Sequence, residues 1–254
     1  MILGIEFPPI SHVVEWPDII GSGPFAVNKV VLLMWATVAI VFAVMFLASK
    51  RRAMVPTGVQ NVAEATVDFV QEGIILQTIG HDGLKWTPFL LTLFTFILVG
   101  NLWEIIPAIQ MPVNARIAVP AFLALLVWVL YNAFGIGAQG PIKYLKNSTV
   151  PPGVPKAILP LVALIEFAQI LIVRPLSLAI RLFANMIAGH LLLTSFAVIT
   201  AAVFSLSGLI VIFPFSFFLL VALTGFELLV SFLQAYIFTI LAAVYIGGAI
   251  HPEH

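Results

Sequence analysis

Five long apolar stretches, separated by shorter polar or Gly- and Pro-rich segments, dominate the pattern of this chain. They cover residues 27–49, 87–106, 117–134, 157–204 and 213–250. A helix needs about 20 apolar residues to cross a bilayer, so each stretch is long enough for one crossing. The last two are too long for a perpendicular crossing and are predicted to be strongly tilted or broken. The pattern predicts an all-α polytopic membrane protein with about five membrane helices.

A sixth segment, residues 57–82, has a different pattern, in which apolar and polar side chains alternate with the period of a helix. Its apolar face has Val59, Val62, Ala63, Thr66, Val67, Val70 and Ile74. Its polar residues lie mostly elsewhere: Gln60, Asn61, Glu64, Asp68, Gln71 and Glu72. This pattern favours an amphipathic helix lying along the membrane surface. The alternative is a soluble helix within a loop.

The segments together predict one membrane domain over residues 1–254. Its parts are an outer N-terminal segment (1–26), a first membrane helix (27–49), the surface helix (57–82), a membrane hairpin (87–135) and a long tilted helical hairpin (157–250). Between the two hairpins, residues 135–156 are rich in Gly and Pro and are predicted to form a loop. Residues 205–208, Ser-Leu-Ser-Gly, are the expected turn inside the long hairpin.

Composition and charge agree with a membrane protein and indicate its orientation. The chain is 62% hydrophobic and 9% charged, whereas soluble domains carry about 25% charged residues. Zero net charge gives no sign of nucleic-acid binding, and the lack of cysteine excludes disulfides and thiolate metal sites. With five crossings, one side receives Lys50, Arg51, Arg52, Lys85, Lys143, Lys146 and Lys156, and the other receives Lys29 and Arg116. This bias predicts the N-terminus outside and the C-terminus in the cytoplasm.

The fourth apolar stretch contains a stripe of polar residues. Arg174, Ser177, Arg181 and Asn185 are three, four and four residues apart, so they lie on one side of a helix. Arginine does not lose its charge in proteins, and placing one near the bilayer centre costs about 2.5 kcal/mol or more. The stripe is therefore predicted to face protein or water. The alternative is a pair of arginines held by internal salt bridges or reaching the interface.

Further ionisable residues suggest proton transfer. His190 lies on the same helix as Arg181, and the fifth stretch has Glu227, Ser231 and Gln234 on one stripe. Histidine and glutamate can exchange protons with water, while arginine stays positive. Glu104, near Asn101 and Trp103, is interpreted as the mouth of an outer water-filled vestibule, and Glu166 as the opposite, cytoplasmic mouth. The alternatives are a structural pairing of His190 with Glu227 and an interface anchor at Glu104.

These residues also resemble a known family. Residues 174–178 and 181–190, the Asn101–Pro107 segment, and Glu227 followed by residues 234–238 are similar to three patches of subunit a of F-type ATP synthases, in the same order. The resemblance implies the stator half of the Fo proton channel, packed against a ring of c subunits. It also implies b-type peripheral stalk subunits and the rest of the F1Fo ATP synthase as partners.

The resemblance gives each residue an expected role. Arg181 would separate two offset half-channels and attract the ring carboxylate, Asn185 and Gln234 would line the ring interface, and His190 and Glu227 would form a proton-relay pair. The long hairpin, 157–250, would face the ring. Ser177, Arg174 and Glu166 are candidates for the inner half-channel, although Glu166 is offset by about one residue from the family's acidic position. Ala184 also departs from the family, since many bacterial members have glycine there.

The expected protein is a non-catalytic subunit without catalytic residues, metal or cofactor, in an energy-coupling membrane, favoured as a bacterial plasma membrane. The chain has no Gly-rich phosphate loop followed by Lys-Ser/Thr and hence no nucleotide site of that type. Two alternatives stay open. One is a stand-alone secondary transporter or ion channel. The other is a structural scaffold, for which Arg181, His190 and Glu227 would be accidental.

Overall fold

The computed structural model describes residues 17–21, 23, 26–50, 53–106, 109–150, 154–155, 157–205 and 210–250. Eight α-helices of eight residues or more lie within these ranges. They are α1 (Lys29–Lys50), α2 (Val59–Val70), α3 (Thr87–Leu102), α4 (Ala118–Gln139), α5 (Pro141–Thr149), α6 (Leu159–Ala168), α7 (Arg174–Ser205) and α8 (Phe213–Ile250). The predicted all-α architecture is confirmed.

Five helical segments of the described chain are long and apolar enough to cross a membrane, as predicted. They are Lys29–Lys50, His81–Leu102, Ala118–Gln139, Leu159–Ser205 and Ile210–Ile250. The last two have 47 and 41 residues, which at 1.5 Å per residue is about 60–70 Å of helix. A hydrocarbon core is about 30 Å thick, so a helix of this length has to tilt or extend beyond it. The third segment runs five residues past its predicted end at residue 134.

The core lies where α3, α4, α7 and α8 meet. Leu90 and Ile97 of α3, Leu182 of α7 and Phe238 of α8 are fully buried, and Val127 of α4 is almost so. All five belong to one contiguous apolar cluster. Between α3 and α4, Val113 packs with residues of α1 in a smaller cluster. The exposed sides of the same helices are also apolar, as expected for surfaces that contact lipid or another membrane subunit.

The surface segment forms a helix, but one detail of the prediction was wrong. Gln60, predicted on the polar side, is 5% exposed, because its side chain bonds the backbone of Ala53 and the carboxylate of Glu64. Val59 and Val62, on the predicted apolar face, are exposed, as expected of side chains that meet lipid. The α2 helix is also not uniform to its end. It continues into a π-helical turn, Gln71–Ile75, then a short α turn, Leu76–Thr78, and a 3-10 turn, His81–Trp86.

The predicted loop between the two hairpins contains the helix α5, and the loop prediction was wrong there. Pro141 begins this helix, where its missing N–H costs nothing. Tyr144 holds it against α4: its hydroxyl donates to Asn132 Oδ1 at 3.0 Å, and its ring occupies the space left by Gly135. Burial raises the pKa of Tyr144, which keeps the hydroxyl protonated as a donor.

The fourth membrane segment is interrupted by a π-helical turn, Gln169–Val173, between α6 and α7. The Arg174 N–H donates to Gln169 O, five residues back, and Pro175 has no N–H. The carbonyl of Ile170 therefore has no donor within its helix. Two side chains of α4 supply one each: Trp128 Nε1 at 2.8 Å and the Tyr131 hydroxyl at 3.0 Å. The sequence analysis predicted that this long stretch is strongly tilted or broken, and its irregular turn lies here.

Several predicted features lie outside the described residues. These are most of the outer N-terminal segment, Arg51 and Arg52 of the basic cluster, Lys156, residues 206–208 of the expected turn, and the C-terminal residues 251–254. Helix α7 ends at Ser205, the first residue of that turn.

Candidate functional site

A polar cavity of about 190 Å³ lies between the end of α3 and the helices α7 and α8. Its lining includes Glu104, Gln110, His190, Thr194 and Thr224. Glu104 and His190 are buried, and neither carboxyl oxygen of Glu104 has a hydrogen-bond partner among the described residues. A buried carboxyl group must be protonated, paired or hydrated. The volume and polarity of the cavity are sufficient for several water molecules that could hydrate it.

Glu227 lies next to this cavity, against the α7 backbone. Its side chain is 3% exposed, and Oε2 has no hydrogen-bond partner within the described part of the chain. A Cβ placed on Gly189 would lie closer than 3.0 Å to the carboxyl atoms of Glu227. Only glycine at position 189 leaves this space, and the next residue is His190. Glu227 and Glu104 are also close enough to interact electrostatically.

Amide side chains extend the polar region through the core. Asn114 Nδ2 donates to Asn101 Oδ1 at 2.7 Å, and Asn101 Nδ2 donates to the Ser231 carbonyl at 3.4 Å. Ser231 is one helical turn from Glu227, and Gln234 follows one turn later. Three further atoms of this group are buried without a hydrogen-bond partner among the described residues: Asn114 Oδ1, Ser231 Oγ and Gln234 Nε2. Buried polar atoms are rarely left unpaired, so these atoms need water or a partner.

The polar region meets the surface beside Arg181. Asn185 Nδ2 donates to Gln234 Oε1 at 2.7 Å, which links α7 to the buried amides of α8. Arg181 lies one turn before Asn185, and both residues are exposed. The outward side of the same helix continues with Ala184 and Ala188, which are also exposed. A permanent positive charge thus lies on the outside of the chain, and apart from Asn185 the exposed residues around it on α7 are apolar.

The three candidates for the inner half-channel, Glu166, Arg174 and Ser177, lie nearer the start of the long hairpin. The guanidinium of Arg174 lies over the Tyr245 ring, 5.4 Å from its centroid. Ser177 Oγ donates to the Arg174 carbonyl at 3.3 Å, so these two residues share the first turn of α7. Glu166 is half-buried in α6, on the far side of the π-helical turn from Arg174.

Comparison with known proteins identifies the family of this chain. Residues 31–247 match the family described as ATP synthase A chain. The chain belongs to the ATP synthase A chain family. Among its relatives, the ATP synthase subunit a of Frankia alni is 44% identical, covering 99% of this chain and 88% of the relative. Those of a Nocardioides and a Chelativorans species are each 40% identical, covering 94% of the relative and 97% and 94% of this chain.

The structure brings the predicted outer residues of this ATP synthase A chain family member together and leaves the inner candidates apart. Glu104 and His190 share the cavity, with Glu227 beside it. Asn101 lies in the amide network, and Asn185 and Gln234 bond each other next to Arg181. Glu166 is separate from Arg174 and Ser177 along the helix.

Three contributors were missed by the sequence analysis. They are Asn114, Gln110 and Gly189. Asn114 and Gln110 lie in the segment between two apolar stretches, where polar residues are ordinary. The backbone of Gln110 has a φ of 44°, in the left-handed region that non-glycine residues seldom adopt. The contact of Gly189 with Glu227 depends on the packing of α7 against α8, which the sequence does not display.

Proposed function

We propose that this chain is the stator subunit of the Fo proton channel of an ATP synthase, coupling proton flow to the rotation of a c-subunit ring. The observation that carries the proposal is the position of Arg181 on the exposed side of α7. Arginine stays charged, and a charge in hydrocarbon costs about 2.5 kcal/mol or more unless it has a partner. An acidic group on an adjacent membrane subunit would offset that cost.

The surface around Arg181 suits a partner that moves past it. Ala184 and Ala188 are small and exposed, so a neighbouring helix can approach the α7 backbone closely. On α8 the exposed residues Phe226 and Leu229 are apolar and make no directional bonds that would fix a partner in one position. The long hairpin of residues 157–250 would therefore face the ring, with Arg181 attracting each ring carboxylate as it loses its proton.

Two offset half-channels would lead protons to and from the ring. In the outer one, the cavity holding Glu104 and His190 would pass protons toward Glu227, because carboxyl and imidazole groups exchange protons with water. The buried amides Asn101 and Gln234 would continue the path to Asn185 at the ring surface. The inner half-channel would use the region of Glu166, Ser177 and Arg174. Arg181, which carries no transferable proton, would separate the two.

The partners and location follow from the same proposal. The subunit would bind the c ring, b-type peripheral stalk subunits and the remainder of the F1Fo complex, and would itself catalyse no reaction. The relatives named above are bacterial, which supports a bacterial plasma membrane. The lysine bias supports an outer N-terminus and a cytoplasmic C-terminus.

The decisive experiment removes the charge of Arg181 while the synthase complex stays assembled. In inverted membrane vesicles with the assembled synthase, Arg181→Ala is expected to reduce ATP-driven proton pumping and ATP synthesis to the level of uncoupler-treated vesicles. Passive proton conduction should rise, because the electrostatic barrier between the half-channels is removed. Ile180→Ala truncates the neighbouring exposed residue and is the matched control, expected to pump normally.

Co-purification of the c subunit with each variant checks assembly. Normal pumping by assembled Arg181→Ala complexes would contradict the mechanism. Proton transport by the purified chain alone in vesicles, without a ring, would instead support the stand-alone transporter.

A further inference from the structure

A second cavity, of about 460 Å³, lies at the membrane end opposite the Glu104 cavity. It is formed by the residues preceding α3, the end of α4 and the last residue of α8. Its lining consists of Lys85, Trp86, Phe134, Gly137, Ala138 and Ile250. We call it the Trp86 pocket. None of these residues takes part in the site described above.

Trp86 gives the pocket a hydrogen-bond donor. Its side chain is 9% exposed, and its ring meets Phe134 edge-on with centroids 4.4 Å apart. Its Nε1 is buried and has no acceptor among the described residues. An indole N–H can only donate, and a buried one usually finds an acceptor. Trp86 lines the pocket, so a ligand whose acceptor oxygen reaches the indole N–H would satisfy this donor.

The other lining residues add a positive charge and open space. Lys85 is exposed beside Trp86 and can place its ammonium group at the mouth of the pocket. A Cβ added at Gly137 would meet nothing within 4 Å, so this wall leaves room for a ligand. Phe134 and Ile250 make the remaining wall apolar. The ligand that fits combines negative charge, acceptor oxygens and an apolar body.

We infer that the Trp86 pocket binds the headgroup region of an anionic phospholipid. Lys85 would pair with the phosphate, the Trp86 N–H would donate to a phosphate or ester oxygen, and the acyl chains would lie along the apolar wall. The volume is within the range of ligand sites. Basic pockets between membrane helices on the cytoplasmic side bind such headgroups, and tryptophan is enriched at this depth. Exposed Lys143 and Lys146 on nearby α5 increase the positive charge of this side.

The test measures lipid binding to the full-length chain, purified in detergent without a ring, by native mass spectrometry. The probes are dioleoylphosphatidylglycerol and zwitterionic dioleoylphosphatidylcholine. The wild-type chain is expected to retain one phosphatidylglycerol in preference to phosphatidylcholine. Lys85→Ala should weaken phosphatidylglycerol binding about fivefold, as expected for one basic residue near an anionic lipid. Lys143→Ala removes an exposed lysine of the same side outside the pocket and should change it little.

Two further variants test the Trp86 hydrogen-bond donor and the open space beside Gly137 separately. Trp86→Phe keeps an aromatic ring but removes the N–H, and should weaken binding about tenfold, as expected for a hydrogen bond to a charged group. Gly137→Leu fills the open wall and should prevent binding. Unchanged circular dichroism and melting temperature of Lys85→Ala and Gly137→Leu establish that the effects are local.

Three results would overturn the inference. One is equal phosphatidylglycerol binding by Lys85→Ala and Lys143→Ala, and another is equal binding of the two lipids by the wild-type chain. The third is displacement of the lipid by millimolar inorganic phosphate, which would make the pocket a site for a free anion. Because the measurement needs neither proton flow nor the ring, its failure is independent of the proposed function.

Discussion

At the scale of single residues, the site depends on one position that lacks a side chain. Gly189 is the only glycine in α7, and the Glu227 carboxyl lies in the space that a Cβ would occupy. The carboxyl group is the end of a flexible side chain, so an added methyl would displace it without preventing the fold. The position of Glu227 beside the cavity is thus set by the residue preceding His190.

Gly189→Ala is therefore expected to lower proton pumping severalfold in the assembled complex, because the displaced Glu227 carboxyl no longer adjoins the cavity. Overpacking of this size typically costs about 1–3 kcal/mol. The matched control is Gly248→Ala in α8, where a Cβ would meet nothing within 4 Å. ATP-driven quenching of a pH-sensitive dye in inverted vesicles measures both. Equal pumping by the two variants would show that the close contact has no role.

Single residues also mark the limit of the sequence analysis. Arg181, His190 and Glu227 could be selected because ionisable groups are rare and costly within apolar stretches. Asn114 could not, since it lies between two stretches, and its 2.7 Å bond to Asn101 exists only after the segment that follows α3 folds back against that helix. Polar character in a membrane helix is visible in a sequence, whereas the partner of a loop residue is not.

At the scale of helices, the π-helical turn before α7 depends on a neighbouring element. Pro175 and the shifted Arg174 N–H leave the Ile170 carbonyl without a helical donor, and Trp128 and Tyr131 of α4 replace it. A backbone acceptor buried without a donor costs about 1–3 kcal/mol. The α4 helix therefore stabilises the irregular part of the long hairpin as well as packing against it.

Removing both donors should destabilise the chain more than the sum of the single changes, because either donor alone can still satisfy the carbonyl. We expect Trp128→Phe/Tyr131→Phe to lower the free energy of unfolding in detergent by about 1–3 kcal/mol beyond the two single variants. Trp35→Phe, at an exposed position of α1, is the control for loss of an indole.

Introducing Trp128→Phe/Tyr131→Phe into a Pro175→Ala variant tests whether the unsatisfied Ile170 carbonyl causes the loss of stability. Alanine restores an N–H at position 175, five residues after Ile170, where it can supply the missing donor. The double variant should then lose little extra stability. A full loss in that background would show that packing, not the carbonyl, explains the effect.

Helix content was predictable where the apolar stretches are long, but the irregular elements were not. Helix α5 was assigned to a loop because Gly and Pro surround it, yet Pro141 begins the helix and Tyr144 fastens it to α4. In α2, Gln60 was placed on the polar side although backbone bonds to Ala53 bury it. Both errors come from contacts between elements that local propensity does not report.

At the scale of the whole molecule, the orientation can be tested directly because the chain has no cysteine. Each introduced cysteine is then the only thiol. Lys146→Cys on α5 and Gln110→Cys beside the outer cavity both replace exposed residues at opposite membrane ends. The lysine bias predicts that a membrane-impermeant maleimide labels Lys146→Cys in inverted vesicles and Gln110→Cys in right-side-out vesicles. The reverse pattern would contradict the orientation.

The contact of Gly189 with Glu227 has an evolutionary consequence. Two groups that compete for one small volume cannot vary independently. A lineage that acquires a side chain at 189 has to shorten, move or exchange the acid at 227, and a reversion at either position permits reversion at the other. Across descendants of this chain, the residues at positions 189 and 227 should therefore change together, although they are 38 residues apart in the sequence.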